Sequence, residues 1–370
     1  MAQGDAEALG KSCDALGMYY QFQGGYLEGM LLFSQATDVL QAQLQNEVTD
    51  VALLGILMSK AWYFLRFGQL EGTEACMAQS LAIYRRLNIP RLPGYQSDPN
   101  APLSFAALTR GDYESAVQLA EQVRNVAEAE QHPINRQFAY HLLSEAHLGL
   151  GAHETAQECA QRAYAQSLMT GDRWFRAYIL NNMGQIAVAL GDNRMGKNHF
   201  QASYEIRHDF ADPEGMALAL INLGNLSFKE RDLAEAEDQF QRSRTIYQDI
   251  NDKGGLAAAN WGLGKVACAQ GELIRTQGYF REALALAMAI DYRPVLFGLL
   301  VDIAELLWQM GQRERPLTLL AYTRHNPKTD HETRKRAQTL LADGYQKRVS
   351  PDLLATASAR GQASDLAGIT

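Results

Sequence analysis

The chain has 370 residues, of which 47% are hydrophobic and 21% charged. That balance belongs to a packed protein and excludes wholesale disorder. Lys and Arg number 34 against 42 Asp and Glu, a formal net charge of -8 that argues against nucleic acid as a partner. The four cysteines, Cys13, Cys76, Cys159 and Cys268, form no C-x-x-C pair, so neither a disulfide framework nor a zinc site is expected. No continuous apolar run reaches about 18 residues, and Met1 to Lys11 lacks the pattern of a signal peptide. No membrane partner and a cytoplasmic location are therefore expected.

In chain order the dominant feature is self-similarity. The windows AYILNNMGQIAVALGDNRMGKNHFQASY from Ala177, ALALINLGNLSFKERDLAEAEDQFQRSR from Ala217 and AAANWGLGKVACAQGELIRTQGYFREAL from Ala257 align without gaps. Gly184, Gly224 and Gly264 are spaced by 40 residues, as are Phe200, Phe240 and Phe280. A turn residue repeats at Gly111, Gly151, Gly191, Arg231, Gly271 and Gly311, with looser copies at Gly24 and Gly68. Glycine fits a place where a helix ends in a left-handed residue; Arg231 should be strained there.

The spacing predicts eight helical hairpins, each an A helix followed by a B helix. Small residues at Gly184, Gly224, Gly264 and Ala304, with Ala156, Gly196 and Ala236 opposite, let the two helices approach. Phe200, Phe240 and Phe280 fill the gap between hairpins. Asp172, Asp212 and Asp252 read as N-caps of A helices. Asn88 to Pro102 holds four prolines and reads as a loop, leaving hairpin three with a short or late A helix. Residues 1–326 form the array. The segment 327–370 reads as a helical cap, with Thr329 or Asp330 capping one helix and Ser350-Pro351 opening another.

These offsets resemble the tetratricopeptide repeat, in a form of about 40 residues rather than 34. The resemblance implies an all-α, right-handed superhelix of antiparallel helix pairs. The D-x-x-G-x-A step from Asp252 to Ala257, with the tail from Leu317, resembles more narrowly the sensor arms of bacterial STAND-class signal-transduction ATPases and transcriptional activators. Such an arm senses an inducer or partner while other domains act.

Chemistry-bearing motifs are sparse. Gly262 to Ala267 spells the G-x-G-x-x-A dinucleotide fingerprint, but it lies inside a repeat's A helix and not after a strand. None of the eight histidines makes a metal-ligand pattern, and they read as surface or capping residues. No nucleophile with its base stands out, so neither enzyme activity nor a cofactor is expected. In this repeat class the A helices line a concave groove. Its offsets hold Tyr178, Asn181, Asn182 and Gln185, then Asn222, Asn225 and Lys229, then Trp261 and Lys265. Asn and Gln both donate and accept, so a ladder of them suits a peptide main chain. Asn is a poor helix former that mere solvation would not select. These positions are expected to face solvent in the free protein. The first functional expectation is a protein- or peptide-binding scaffold, the sensor arm of a regulator. The alternative is a receptor whose curvature responds to a small molecule. From Gly311 to Ser350 the chain carries +5. Arg334, Lys335 and Arg336 could there meet an acidic partner, or serve as the solvated face of the cap.

Overall fold

The computed structural model describes residues 3–43, 45–87, 98–345 and 348–365. Among these there are only helices and turns. The hairpins are α1 (Gln3–Phe22) with α2 (Tyr26–Gln41), α3 (Glu47–Arg66) with α4 (Leu70–Leu87), α5 (Asn100–Thr109) with α6 (Tyr113–Ala129), and α7 (Pro133–Leu150) with α8 (His153–Thr170). Then follow α9 (Arg173–Ala189) with α10 (Asn193–Asp209), α11 (Pro213–Lys229) with α12 (Leu233–Asp249), α13 (Lys253–Ala269) with α14 (Leu273–Ala289), and α15 (Arg293–Gln309) with α16 (Glu314–His325). The cap is α17 (His331–Thr339), a π-helical turn over Leu340–Tyr345, and α18 (Pro351–Ala363). Helix α5 has only 10 residues; most of the proline-rich stretch before it lies outside the described residues.

All eight turn positions, Arg231 included, have positive φ, with Arg231 at 67°. A second left-handed series, again 40 residues apart, occupies the B-to-A links at Gln131, Gly171, Ala211, Asn251 and Asp291. Asp172, Asp212 and Asp252 cap α9, α11 and α13 by accepting from the backbone N–H three residues on. Asp112, Asp192 and Asp232 cap B helices in the same way. Within each hairpin the small residue and the aromatic are one device: Gly184, Gly224 and Gly264 have no room for a Cβ against Phe200, Phe240 and Phe280. Phe240 also reaches Gly262 of the next hairpin. The fingerprint-like glycines are thus packing positions inside α13.

The superhelix closes on itself after about one turn. The hairpin turns at Gly24 and Gly68 abut Ile250 and Ile290 in links about three-fifths of the chain away. Gly111 and Gly151 abut Lys328 and His331 at the start of the cap. Side chains of α1 to α4 and of α11 to α13 share one apolar core, in which Phe33, Leu57, Ala217, Phe240 and Ile250 are all buried. Phe22 packs against Trp174 and Phe210, with ring centroids 5.5 and 5.9 Å away. The accessible surface is 16422 Å², only slightly above the value of about 15,000 Å² for a compact protein of this mass. Helix α3 is long and apolar enough to cross a membrane by composition, but Leu53, Leu54, Ile56, Leu57 and Ala61 lie in this core.

The cap seals the last hairpin. Trp308 stacks on Tyr345 at 3.7 Å, and Ala337, Leu341 and Ala357 are buried against Phe297, Leu317 and Leu320. The basic triplet is largely consumed here. Arg334 donates to the carbonyls of Asn326, Pro327 and Thr329. Arg336 turns inward to Asp302 and Glu305.

Candidate functional site: the inner face of the A helices

The 40-residue register sets like positions of successive A helices side by side. One such row is Glu145, Gln185, Asn225, Lys265 and Glu305, on α7, α9, α11, α13 and α15. All five are partly accessible. Lys265 Nζ donates to Asn225 Oδ1 at 2.7 Å and lies 4.8 Å from the Trp261 ring centroid. Trp261 Nε1 donates to Asp302 Oδ2 at 2.5 Å.

The row next to it behaves differently from the expectation of solvent-facing amides. Asn181, Asn182 and Asn222 are buried, at 6%, 1% and 8% exposure. Asn222 Nδ2 donates to Asn181 Oδ1 at 2.8 Å, Gln185 Nε2 to Asn222 Oδ1 at 3.3 Å, and Ser144 Oγ to Asn182 Oδ1 at 2.5 Å. These amides are struts that tie α7, α9 and α11 together. The reason is geometric: neighbouring A helices approach closely enough that amides on facing flanks reach each other before they reach a ligand.

The remaining candidates separate. Lys229 is exposed at the turn edge, where it donates to Asn193 Oδ1 at 3.1 Å. Tyr178 belongs to the closing contact. Its hydroxyl accepts from Arg66 at 3.1 Å and lies 3.3 Å from Glu214 Oε2, while Arg66 and Glu214 form an ion pair across the superhelical turn. The central group is therefore Gln185, Asn225, Trp261 and Lys265.

Sequence reasoning missed Glu145, Asp302 and Glu305, and placed Arg336 only in the basic tail. The signal was available for Glu145 and Glu305, which share the offset of Gln185 and Lys265. Burial pushes the Glu145 carboxyl up to about 7, although 31% of its side chain is exposed. Water reaches it, but protein surrounds it, and its charge helps raise the Tyr292 hydroxyl in the α14–α15 link. Its neighbour His141 Nε2, 3.5 Å away, is held down to about 3 by burial and by Arg207. Burial brings the Lys265 ammonium down to about 8, opposed by Asp302. His132 caps α7 by accepting from Asn135 N–H, one of the two roles expected of the histidines, whereas His141 is a core residue. Among the described residues no cluster of His, Cys, Asp and Glu could hold a metal ion.

The tetratricopeptide repeat family matches residues 175–249. Comparison with curated proteins finds no match. A Rap protein complexed with competence and sporulation factor aligns over 96% of this chain and 99% of its own, with TM-score 0.65 and 13% identity. The Rap conjugation gene regulator of plasmid pLS20, in complex with the Phr* peptide, aligns over 90% and 94%, with TM-score 0.54 and 13% identity. A STAND protein with a tetratricopeptide repeat sensor from Pyrococcus horikoshii aligns over 82% and 46%, at 11% identity and TM-score 0.47, too loosely to argue from. The 40-residue register, the paired helices and the two Rap likenesses agree on the architecture: the chain folds as an all-α solenoid of antiparallel helix pairs like that of the tetratricopeptide repeat.

Proposed function

We propose that this solenoid is a non-enzymatic scaffold that holds an extended peptide or partner segment on the inner face of its A helices, as the sensor arm of a bacterial signalling or transcription regulator acting in the cytoplasm. The observation that carries the reading is the accessible row Gln185, Asn225 and Lys265, beside Trp261. Two amides and an ammonium on adjacent helices offer donors and acceptors at intervals to a main chain, and the indole offers an apolar face. The same fold holds a peptide in the Phr*-bound conjugation regulator. With the buried asparagines engaged as struts, main-chain recognition falls to Gln185 and Asn225.

The test is selection of randomised eight-residue peptides on the immobilised full chain, followed by titration of the retained sequences. Gln185→Ala and Asn225→Ala should each weaken binding by about 1–3 kcal/mol, because an amide of the peptide loses its partner. Retained peptides that bind both variants like the wild type would move the site off this face.

The closing contacts favour a second reading, a small effector enclosed by the turn. Under that reading metabolite-sized ligands, rather than peptides, would shift the melting temperature.

A further inference from the structure

The row of accessible groups is asymmetric in charge. Glu145 stands at one end, on α7; two neutral amides follow on α9 and α11; Lys265 stands on α13, and Glu305 beyond it, on α15, is already paired with Arg336. Neither Glu145 nor Lys265 has an opposite charge of its own. Among the described residues no Lys or Arg lies within ion-pair distance of Glu145, whose neighbour is His141; the Glu145 charge in turn helps raise the Tyr292 hydroxyl in the α14–α15 link. Lys265 meets Asn225 and the rings of Trp261, Phe228 and Phe240. The nearby carboxylate, Asp302, is already engaged by Trp261 Nε1 and Arg336, and Arg336 itself opposes the ammonium.

Leaving both charges partly buried and uncompensated is unfavourable to the folded chain. Packing does not require it: glutamine or methionine would fill either place. The arrangement becomes favourable only when something brings the two missing charges. The span sets the size of that something. Successive A helices touch along this face, and packed helices lie about 8–10 Å apart, so three steps cover at most roughly 25–30 Å along the arc. An extended chain advances about 3.3 Å per residue, which makes the occupant a peptide of about six to nine residues.

We propose that the inner face reads peptide polarity: a cationic group at the leading end of a short peptide meets Glu145, its main chain runs past Gln185 and Asn225, and a carboxylate at the trailing end meets Lys265. This rests on the peptide-binding reading above and adds direction, length and end chemistry to it. The cation is a free α-amino group or a Lys or Arg side chain; the anion is a C-terminal or side-chain carboxylate. The peptide runs in the order of the hairpins, from the fourth to the seventh.

The experiment uses the full chain, immobilised, and three pools of randomised eight-residue peptides: free at both ends, N-acetylated, and C-amidated. Retained peptides are sequenced by mass spectrometry. The free pool is expected to be retained. Acetylation or amidation should each reduce retention roughly tenfold, about 1.4 kcal/mol, except for members that carry Lys or Arg near the first position or Asp or Glu near the last. Those exceptions identify side chains as the source of the charge. Glu145→Gln should abolish only the discrimination at the N-terminal end, and Lys265→Gln only that at the C-terminal end. Both variants are checked for wild-type helicity, and the pool comparison on the wild type stands without them. Retained peptides indifferent to capping and without charge enrichment would overturn the polarity while leaving peptide binding intact. A wild type that retains no pool would overturn both.

Discussion

Arg207 and Asp212 form an ion pair at 2.5 Å with 1% and 0% of their side chains exposed. Asp212 does three things at once. One oxygen caps α11 through Gly215 N–H; the other accepts from Arg207 and from Trp174 Nε1 at 2.9 Å. Arg207 in turn lies with its Cζ 3.5 Å from the Tyr178 ring centroid. Asp212→Asn keeps one carbonyl oxygen for the cap, but replaces the oxygen that accepts from Arg207 and Trp174 by an NH2 donor and leaves the Arg207 charge buried and unpaired. It should cost about 3–5 kcal/mol. Asp192→Ala removes only an exposed cap of α10 and should cost about 1 kcal/mol. Urea unfolding of the two variants measures the difference; equal losses would mean that the buried pair adds nothing beyond capping.

The turn glycines divide by what they touch. Gly271 has φ 78° and open space around it, whereas Gly68, at φ 66°, has no room for a Cβ against Ile290. Alanine in the left-handed region costs about 1–2 kcal/mol, so Gly271→Ala should lower stability by that amount and leave the shape unchanged. Gly68→Ala should in addition push the closing contact apart. A larger radius of gyration by small-angle scattering for the Gly68 variant alone checks this.

Glu145 makes stability depend on pH. Its carboxyl titrates near 7 in the fold, against 4.5 when unperturbed. Below about 4.5 both folded and unfolded states are protonated, and the penalty is absent. As pH rises from there to about 7, the unfolded state ionises first and the fold loses stability. Glu145→Gln should therefore be neutral near pH 4 and stabilising above pH 7. The gain is about 1 kcal/mol, a value reduced for the partial exposure of the group. Unfolding midpoints of both proteins at pH 5 and pH 8 measure it. A variant equally stable relative to wild type at both values would refute the assignment.

Truncation after Asn326 should strip the cover from Phe297, Trp308, Leu317 and Leu320 and remove the contacts of Lys328 and His331 with the turns at Gly111 and Gly151. An open solenoid end needs a polar cap, so the shortened chain should aggregate or self-associate in size-exclusion chromatography with light scattering. A stable monomer would show that the cap is dispensable.

The hairpins were legible because their determinants are local and identical in kind. A left-handed turn selects glycine, and a tight crossing selects a glycine opposite a phenylalanine, as at Gly224 and Phe240. The second left-handed series was not legible, because Gln131, Ala211, Asn251 and Asp291 share a conformation without sharing a residue type. Nor was the fate of the amides. Periodicity placed Asn182, Asn222 and Asn225 on the A helices, but one step around a helix separates a strut from an accessible group. The closing contacts depend on the pitch of the whole superhelix, which no 40-residue window contains. Arg334 and Arg336 read as a charge run for the same reason: their partners Asn326, Pro327 and Asp302 are set by how the cap folds back.

Closure after one turn also changes how the array should unfold. In an open stack each repeat feels only its neighbours, stability is a sum along a line, and the ends fray. Here hairpins one and two share a core with hairpins six and seven, so the first repeats are tied to the sixth and seventh as well as to their neighbours in sequence. The energetic topology is nearer to a ring. Amide exchange in α1 to α4 and in α11 to α14 should be protected together rather than graded from the termini inward. Opening the seam at Gly24 and Gly68 should convert a single cooperative transition into stepwise melting.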